Sequence, residues 1–329
     1  MESPLLKHKG AVAADAPDQE IAAHYGEPAQ EQRALERGEA FTDRSNRGVV
    51  RVSGPDRLRW LHSLLSQHLE RLRPGEATEA LLLSPTGHVE HHLHLVDDGE
   101  AVWAHVEPGT APDLAAFLDK MRFMLRVEVA DLSDEYAVVT GAGVVPGALT
   151  LPDVAGVTQL VPRAALPGLP EAARPAGLWA YEALRIAAHR ARLGLDSDHR
   201  AIPHEMGWIE TAVHLEKGCY RGQETVARVH NLGRPPRRLV FLHLDGSADR
   251  LPAHGSPLEI PGGRTVGFVG SAARHHELGP IALGLVKRNV PVDAELLADG
   301  VAASQEVVVS PETGANAKIE LRRHAAKRA

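Results

Sequence analysis

Arg47-Gly-Val-Val-Arg-Val-Ser-Gly-Pro-Asp56 is the stretch that sets the architecture. Valine alternates with polar residues over 47–53, the period of a half-buried strand. Gly54-Pro55-Asp56 then opens a helix whose Leu58, Leu61, Leu65, Leu69 and Leu72 share one face until Pro74-Gly75 stops it. A strand followed at once by a helix starts an α+β unit. Further on, 78–83 and 88–96 read as strands joined by the turn Ser84-Pro85-Thr86-Gly87, and 101–106 as a third strand. Thr110-Ala-Pro-Asp113 has capping-box form ahead of a helix with Leu114, Phe117, Leu118 and Met121 on one side. Strands return at 126–129 and 136–140. Strands around two packed helices imply an antiparallel sheet, ferredoxin-like or related, and not a doubly wound parallel one.

Before this unit, residues 1–38 are rich in Ala, Glu, Gln and Asp with few large apolar side chains, which predicts a mobile arm. After it, 144–175 is rich in Pro and Gly and reads as weak strands or loops. Residues 175–193 read as a helix with Leu178, Tyr181, Leu184, Ala188 and Ala191 inward. Glu182, Arg185, His189 and Arg192 would form an exposed salt-bridged face, with Gly194 as C-cap. Another helix runs from Gln223 to Asn231, and Arg234-Pro235-Pro236 then breaks the chain. Short strands at 238–244, 257–260, 264–271, 281–287 and 305–309, separated by Gly, Pro and Asp turns, imply a small β-barrel. The expected division is an arm (1–38), an α+β region of two interlocked subdomains (39–234), a barrel (235–312) and a solvated basic tail (313–329) carrying Arg322, Arg323, Lys327 and Arg328.

The 36 basic and 43 acidic residues among 329 give a net charge of −7, so the chain lacks the basic excess of a general nucleic-acid binder. Direct nucleic-acid contact is not expected. No apolar run approaches the ~18 residues of a membrane span, and 1–32 lacks the pattern of a signal peptide. A soluble cytoplasmic protein is expected. One cysteine excludes an internal disulfide framework and a four-cysteine ligand set for an iron–sulfur cluster.

That cysteine lies in Lys217-Gly-Cys-Tyr-Arg-Gly-Gln-Glu224, between two cations and just ahead of a helix start. Both features stabilise a thiolate. Gly218 and Gly222 allow a sharp turn or a close approach. The alternative is a buried structural cysteine in a tight turn. In the strand His88-Val-Glu-His-His-Leu-His-Leu95, alternation puts His88, Glu90, His92 and His94 on one face. First to last, three ligands on one straight strand span about 13 Å at ~3.3 Å per residue, so only adjacent pairs could chelate and no stably bound metal is expected. Trp208 follows a loop and is either core or a stacking platform for a planar ligand.

The eight-residue run 217–224 resembles the K-G-C-[FYW]-x-G-Q-E signature of the YgfZ-type folate-binding proteins, which act in iron–sulfur cluster assembly or repair and are similar in fold to the glycine-cleavage T-protein. Arg47 to Asp56, the Leu-rich helix, Pro74-Gly75 and Leu81 to Gly87 resemble the N-terminal part of that family, and the likeness covers about residues 41 to 310. The resemblance implies an aminomethyltransferase-like α+β folate-binding region capped by the C-terminal barrel, with the signature loop near the rim of a central pocket. It also implies tetrahydrofolate or a derivative as cofactor, and folate and iron–sulfur proteins or assembly factors as partners. Cys219 becomes the working thiol, Lys217 and Arg221 its activators, and Gly218, Tyr220, Gly222, Gln223 and Glu224 the loop around it. Arg185, His91, His92 and Trp208 become candidate folate contacts. An aspartate that assists aminomethyl transfer in T-protein relatives is matched here by His91 or His92. The family's pterin-binding glutamate is matched by Ala187, which would weaken folate binding, and His189 stands where glycine is expected. The implied role is an accessory one, cluster-dependent tRNA modification included. The alternatives are a tetrahydrofolate-dependent aminomethyltransferase or demethylase, and a non-catalytic module that has lost folate.

Overall fold

The computed structural model describes residues 1–142 and 145–315. The strand Gly48–Ser53 lies inside an antiparallel five-stranded sheet, in the order Ala77–Leu83, Val89–Asp97, Ala101–Val106, Gly48–Ser53, Glu128–Asp131. The helices Arg57–Leu64 and Ala111–Met121 cover one face, burying Trp60, Leu61, Leu64, Leu114 and Leu118 against Val50, Val52, Leu82, Leu93 and Leu95. The first helix stops at Leu64, and Leu69 and Leu72 are buried from the loop that follows. Thr110 does not cap the second helix. Its hydroxyl donates to the Glu107 carbonyl at 2.8 Å.

A second sheet packs on the other face. Its order is Leu149–Asp153, Gly156–Pro162, Tyr136–Gly141, Ala40–Asp43, Arg174–Ala176, antiparallel except for the last pair. Thus the stretch expected to hold weak strands or loops supplies two well-formed strands, Leu149–Asp153 and Gly156–Pro162. Val49, Val96 and Trp103 of the first sheet meet Val138, Leu151 and Leu160 of the second. The strands Arg237–Leu244, Gly279–Lys287, Arg264–His275, Pro257–Ile260, Leu296–Ala298 and Val301–Val307 close a barrel in that order. An α+β region followed by a small closed barrel is therefore the architecture, and the three-residue strand Leu296–Ala298 is the barrel element that the sequence did not announce.

The expected mobile arm is instead a packed part of the fold. Leu5, Ile21, Ala23 and Leu35 are buried, the last three around the helix Leu178–Ala187. Polar residues do the fastening. Glu31 accepts from the Tyr25, Glu27 and Gly177 amides at 2.8–3.1 Å. Gln32 donates to the Arg274 carbonyl at 2.8 Å and accepts from the His276 amide at 2.9 Å. Low hydrophobicity was misleading because side-chain-to-backbone hydrogen bonds of Glu31 and Gln32 fasten this segment beside its few buried apolar residues.

The helix expected over 175–193 spans only Leu178–Ala187. His189 adopts a left-handed φ of 58°, the Arg190 amide bonds back to the Arg185 carbonyl at 3.0 Å, and Asp196 captures the Arg192 amide at 2.8 Å. A single core runs from this helix (Ala183, Ile186) through Leu81, Leu83, Val89, Trp208 and Tyr220 to Leu239, Phe241 and Leu283 of the barrel. It fixes the hairpin, the signature loop and the barrel relative to one another. No helix among the described residues is long and apolar enough to cross a membrane. The basic residues of the tail lie outside the described residues.

Candidate functional site

The hairpin supplies the first wall. A bulge between Leu82 and Leu83 breaks the alternation expected along 88–95: Leu82 pairs with His91 but Leu83 with Val89. Val89 therefore turns into the core with Leu81 and Leu83, and Glu90 is exposed. Beyond the bulge the alternation holds. His92 and His94 share a face and line a cavity of about 340 Å³ together with Arg44, Arg47, Glu79, Arg190 and Trp208. Glu79 stands opposite His94 in the register. His92 Nε2 lies 3.0 Å from Glu79 Oε2, which also accepts from the Thr211 hydroxyl at 3.2 Å, and Arg190 pairs with Glu79 Oε1. The ring of His94 stacks on His105 at 4.7 Å, and His92 lies 4.7 Å from the buried Trp208. Burial opposes the charge of Glu79, but His92, His94 and Arg190 outweigh it and hold the acid below the usual carboxylate range. Burial, with neighbouring cations, pushes His94 and His105 well below the ordinary imidazole value.

The face expected to be exposed on a 175–193 helix instead contributes Glu182, Arg185 and Arg192 to a buried ion-pair network. Arg185 binds Glu182 at 2.5 Å and Asp196 at 2.9 Å, and donates to Ser271 at 2.6 Å. Arg192 binds Asp18 and Glu107 at 3.0 Å and Glu182 at 3.2 Å. The face is covered because the N-terminal segment and the barrel close over it, each bringing partners. Arg185 thus reaches the cavity wall with its guanidinium already committed to the fold. Ala187 lies elsewhere: with Leu35, Glu36, Leu184, Ala188 and His275 it lines a separate depression. His91 turns away from His92, and its Nδ1 is buried without a hydrogen-bond partner.

The signature loop is built for rigidity. Lys217 Nζ donates to the carbonyls of His62, Leu65 (2.5 Å) and Gln67 (3.0 Å), tying the loop to the end of the helix Arg57–Leu64, and lies 4.9 Å over the buried Tyr220 ring. Burial pushes its ammonium down to about 8, against which the three carbonyls favour the charged form. Arg221 pairs with Glu90 at 2.5 Å and covers the Phe117 ring. The bonds of both cations go to the scaffold, and neither is hydrogen-bonded to Cys219 among the described residues, so any support that they give a thiolate acts through space. Gly222 has a left-handed φ of 80°, and a Cβ there would lie 2.6 Å from the Ser84 carbonyl oxygen. Gly218 faces open space, so only one of the two glycines is sterically required. Gln223 donates to the Lys217 carbonyl at 3.3 Å, and Glu224 forms an exposed pair with Arg228. Cys219 is left exposed on this loop.

Set beside known proteins, residues 3–148 match the family model described as "GCVT N-terminal domain". The chain is 31% identical over 301 residues to the "tRNA-modifying protein YgfZ" of Edwardsiella ictaluri, covering 80% of this chain and 88% of that one. The chain belongs to the YgfZ-type folate-binding family. A second relative, the "Iron-sulfur cluster assembly factor IBA57 homolog, mitochondrial" of Mycosarcoma maydis, is 27% identical over 230 residues, 60% of this chain and 55% of that one. In structure, the chain is similar to the glycine cleavage system aminomethyltransferase T from Bartonella henselae, with a TM-score of 0.76 and 18% identity over 96% of this chain and 98% of that one. That likeness shows the shared fold alone.

Within this YgfZ-type chain the structure brings His92 and Trp208 together at the cavity and sets the 217–224 loop against the hairpin turn. It does not bring Ala187 or His91 to the same wall. Sequence reasoning missed Glu79, Arg44, Arg47, His105 and Arg190. Only Glu79 and His105 carried a readable signal, since antiparallel pairing puts both opposite His94 on neighbouring strands.

Proposed function

We propose that this chain is a folate-binding-type accessory protein of iron–sulfur cluster assembly or repair, including cluster-dependent tRNA modification, with Cys219 as its working thiol. One observation carries the reading: the complete 217–224 signature presents an exposed thiol on a loop pinned by Lys217, Gly222 and Arg221, while imidazoles occupy the hairpin positions where T-protein relatives carry an aspartate. Aminomethyl transfer needs a proton acceptor of suitable pKa at that place, and the carboxylates that line the cavity are all engaged: Glu79 by Arg190, His92 and Thr211, Asp153 by Arg44, and Glu107 by Arg47 and Arg192. The relatives named for tRNA modification and for iron–sulfur cluster assembly support the same reading. For the folate, the Trp208 and His92 rings offer stacking surfaces. The half-exposed Arg190 offers a partner for the carboxylates of the glutamyl tail.

Complementation of a deletion strain tests the role. Wild type restores the activity of cluster-dependent tRNA-modifying enzymes, and Cys219→Ser does not, although it folds. Glycine cleavage is unaffected by the deletion. Full rescue by Cys219→Ser, with loss on changes at His92, would move the chemistry to the hairpin and favour the transferase reading. Calorimetric titration with reduced folates tests the cofactor: saturable binding weakened by Trp208→Ala is expected, and absence of binding would leave a module that has shed folate.

A further inference from the structure

We infer that Glu79, His92 and His94 form a binding site for a first-row divalent cation on the wall of the central cavity. One strand alone offers only a pair of imidazoles. The third donor comes from the neighbouring strand, because Glu79 is the register partner of His94, and His92 sits two residues away on the same face. One ligand atom from each residue lies within 4.8 Å of the other two. Atoms bound to one ion at ~2.1 Å stand about 3.4 Å apart in tetrahedral geometry, so small side-chain rotations complete the site. Two imidazoles and one carboxylate on one side of an ion leave its remaining positions open toward the cavity, a donor set suited to Zn²⁺, Fe²⁺ or Co²⁺.

Three features single out this cluster. His94 lines the cavity yet makes no hydrogen bond among the described residues, so its ring carries a free lone pair in the neutral form. Thr211 donates to Glu79 Oε2 and fixes the carboxylate from behind, as outer groups do at metal sites. Arg44 and Arg47, the nearest buried cations, are already neutralised by Asp153 and Glu107. Arg190 is the competitor. Its guanidinium holds Glu79 Oε1, is partly exposed, and must swing away when the ion enters. A second cluster, His62, His68 and Glu70, is less suited, because His62 Nδ1 already accepts from the Leu69 amide at 3.3 Å and Glu70 is exposed. The inference does not depend on folate.

The test titrates chelator-treated full-length protein with Co²⁺, followed by its visible absorption, and with Zn²⁺, followed by calorimetry, in the absence of folate. One ion per chain is expected. His94→Ala and His92→Ala should each weaken binding at least about tenfold, His68→Ala should leave it unchanged, and Arg190→Met should tighten it. Should His94→Ala fail to fold by circular dichroism, Glu79→Gln replaces it, with the same weakening expected. No saturable binding of either ion, or binding lost in His68→Ala and retained in His94→Ala, would overturn the site.

Discussion

Two pairs of cations, Lys217 with Arg221 and Arg185 with Arg192, look alike in the sequence and serve opposite ends in the fold. The first pair works locally: Lys217 gathers three carbonyls at one helix end, Arg221 one exposed carboxylate, and together they hold a loop whose cysteine faces solvent. The second pair works at long range. Its carboxylates come from residues 18, 107, 182 and 196, and all of these groups are buried. The difference is one of dielectric: a half-exposed pair contributes little, whereas a buried network is costly to break because each orphaned charge stays out of water.

The largest expected effect is therefore Arg192→Ala, which strands Asp18, Glu107 and Glu182 and should cost about 3–5 kcal/mol in urea denaturation. A loss below about 1 kcal/mol would break the contrast. Lys217→Met should cost about 1.5–3 kcal/mol, the worth of hydrogen bonds to a charged donor, because three carbonyls lose their partner.

Acid should act on the buried imidazoles. Burial, assisted by His230, pushes His204 down to about 4, and neither of its ring nitrogens has a hydrogen-bond partner. The unfolded chain, titrating near 6.5, then binds more protons than the folded one, so stability is lost as pH falls from about 6.5 toward 4. Unfolding midpoints in urea across that window should fall less steeply in His204→Phe than in wild type, and equal slopes would show that His204 is not among the groups responsible.

Smallest of all should be Arg221→Gln. Stability should change by less than about 1 kcal/mol, and iodoacetamide should alkylate Cys219 at an unchanged rate in the folded protein. A markedly slower reaction would mark Arg221 as an activator of the thiol.

What could be read from the sequence follows the same division between local and long-range. The strand at 101–106, the helix from Gln223 to Asn231 and the first barrel strands were legible because alternation, caps and Pro-Pro breaks are written within a few residues. The fate of Arg185 and Arg192 was not, since nothing near them announces Asp18 or Glu107. Residues 1–38 misled for the same reason: Glu31 and Gln32 read as solvated, and their partners are Gly177, Arg274 and His276. At the site, His92, Trp208 and the 217–224 loop could be named in advance. Glu79 could not be joined to them without the strand register, and the bulge at Leu82/Leu83 hid which residues along 88–92 share a face.

The fastening of the N-terminal segment bears on how the chain is made. Asp18 waits for Arg192, and Gln32 waits for Arg274 and His276, more than 240 positions later in the case of the glutamine. A ribosome releases the segment well before these partners. During synthesis the last of these clasps, that of Gln32, therefore closes only when the barrel strand Arg264–His275 has emerged. Translation stalled before that strand would yield a chain whose helix around Gln32 lacks its barrel contacts, an easier substrate for proteases acting on nascent chains.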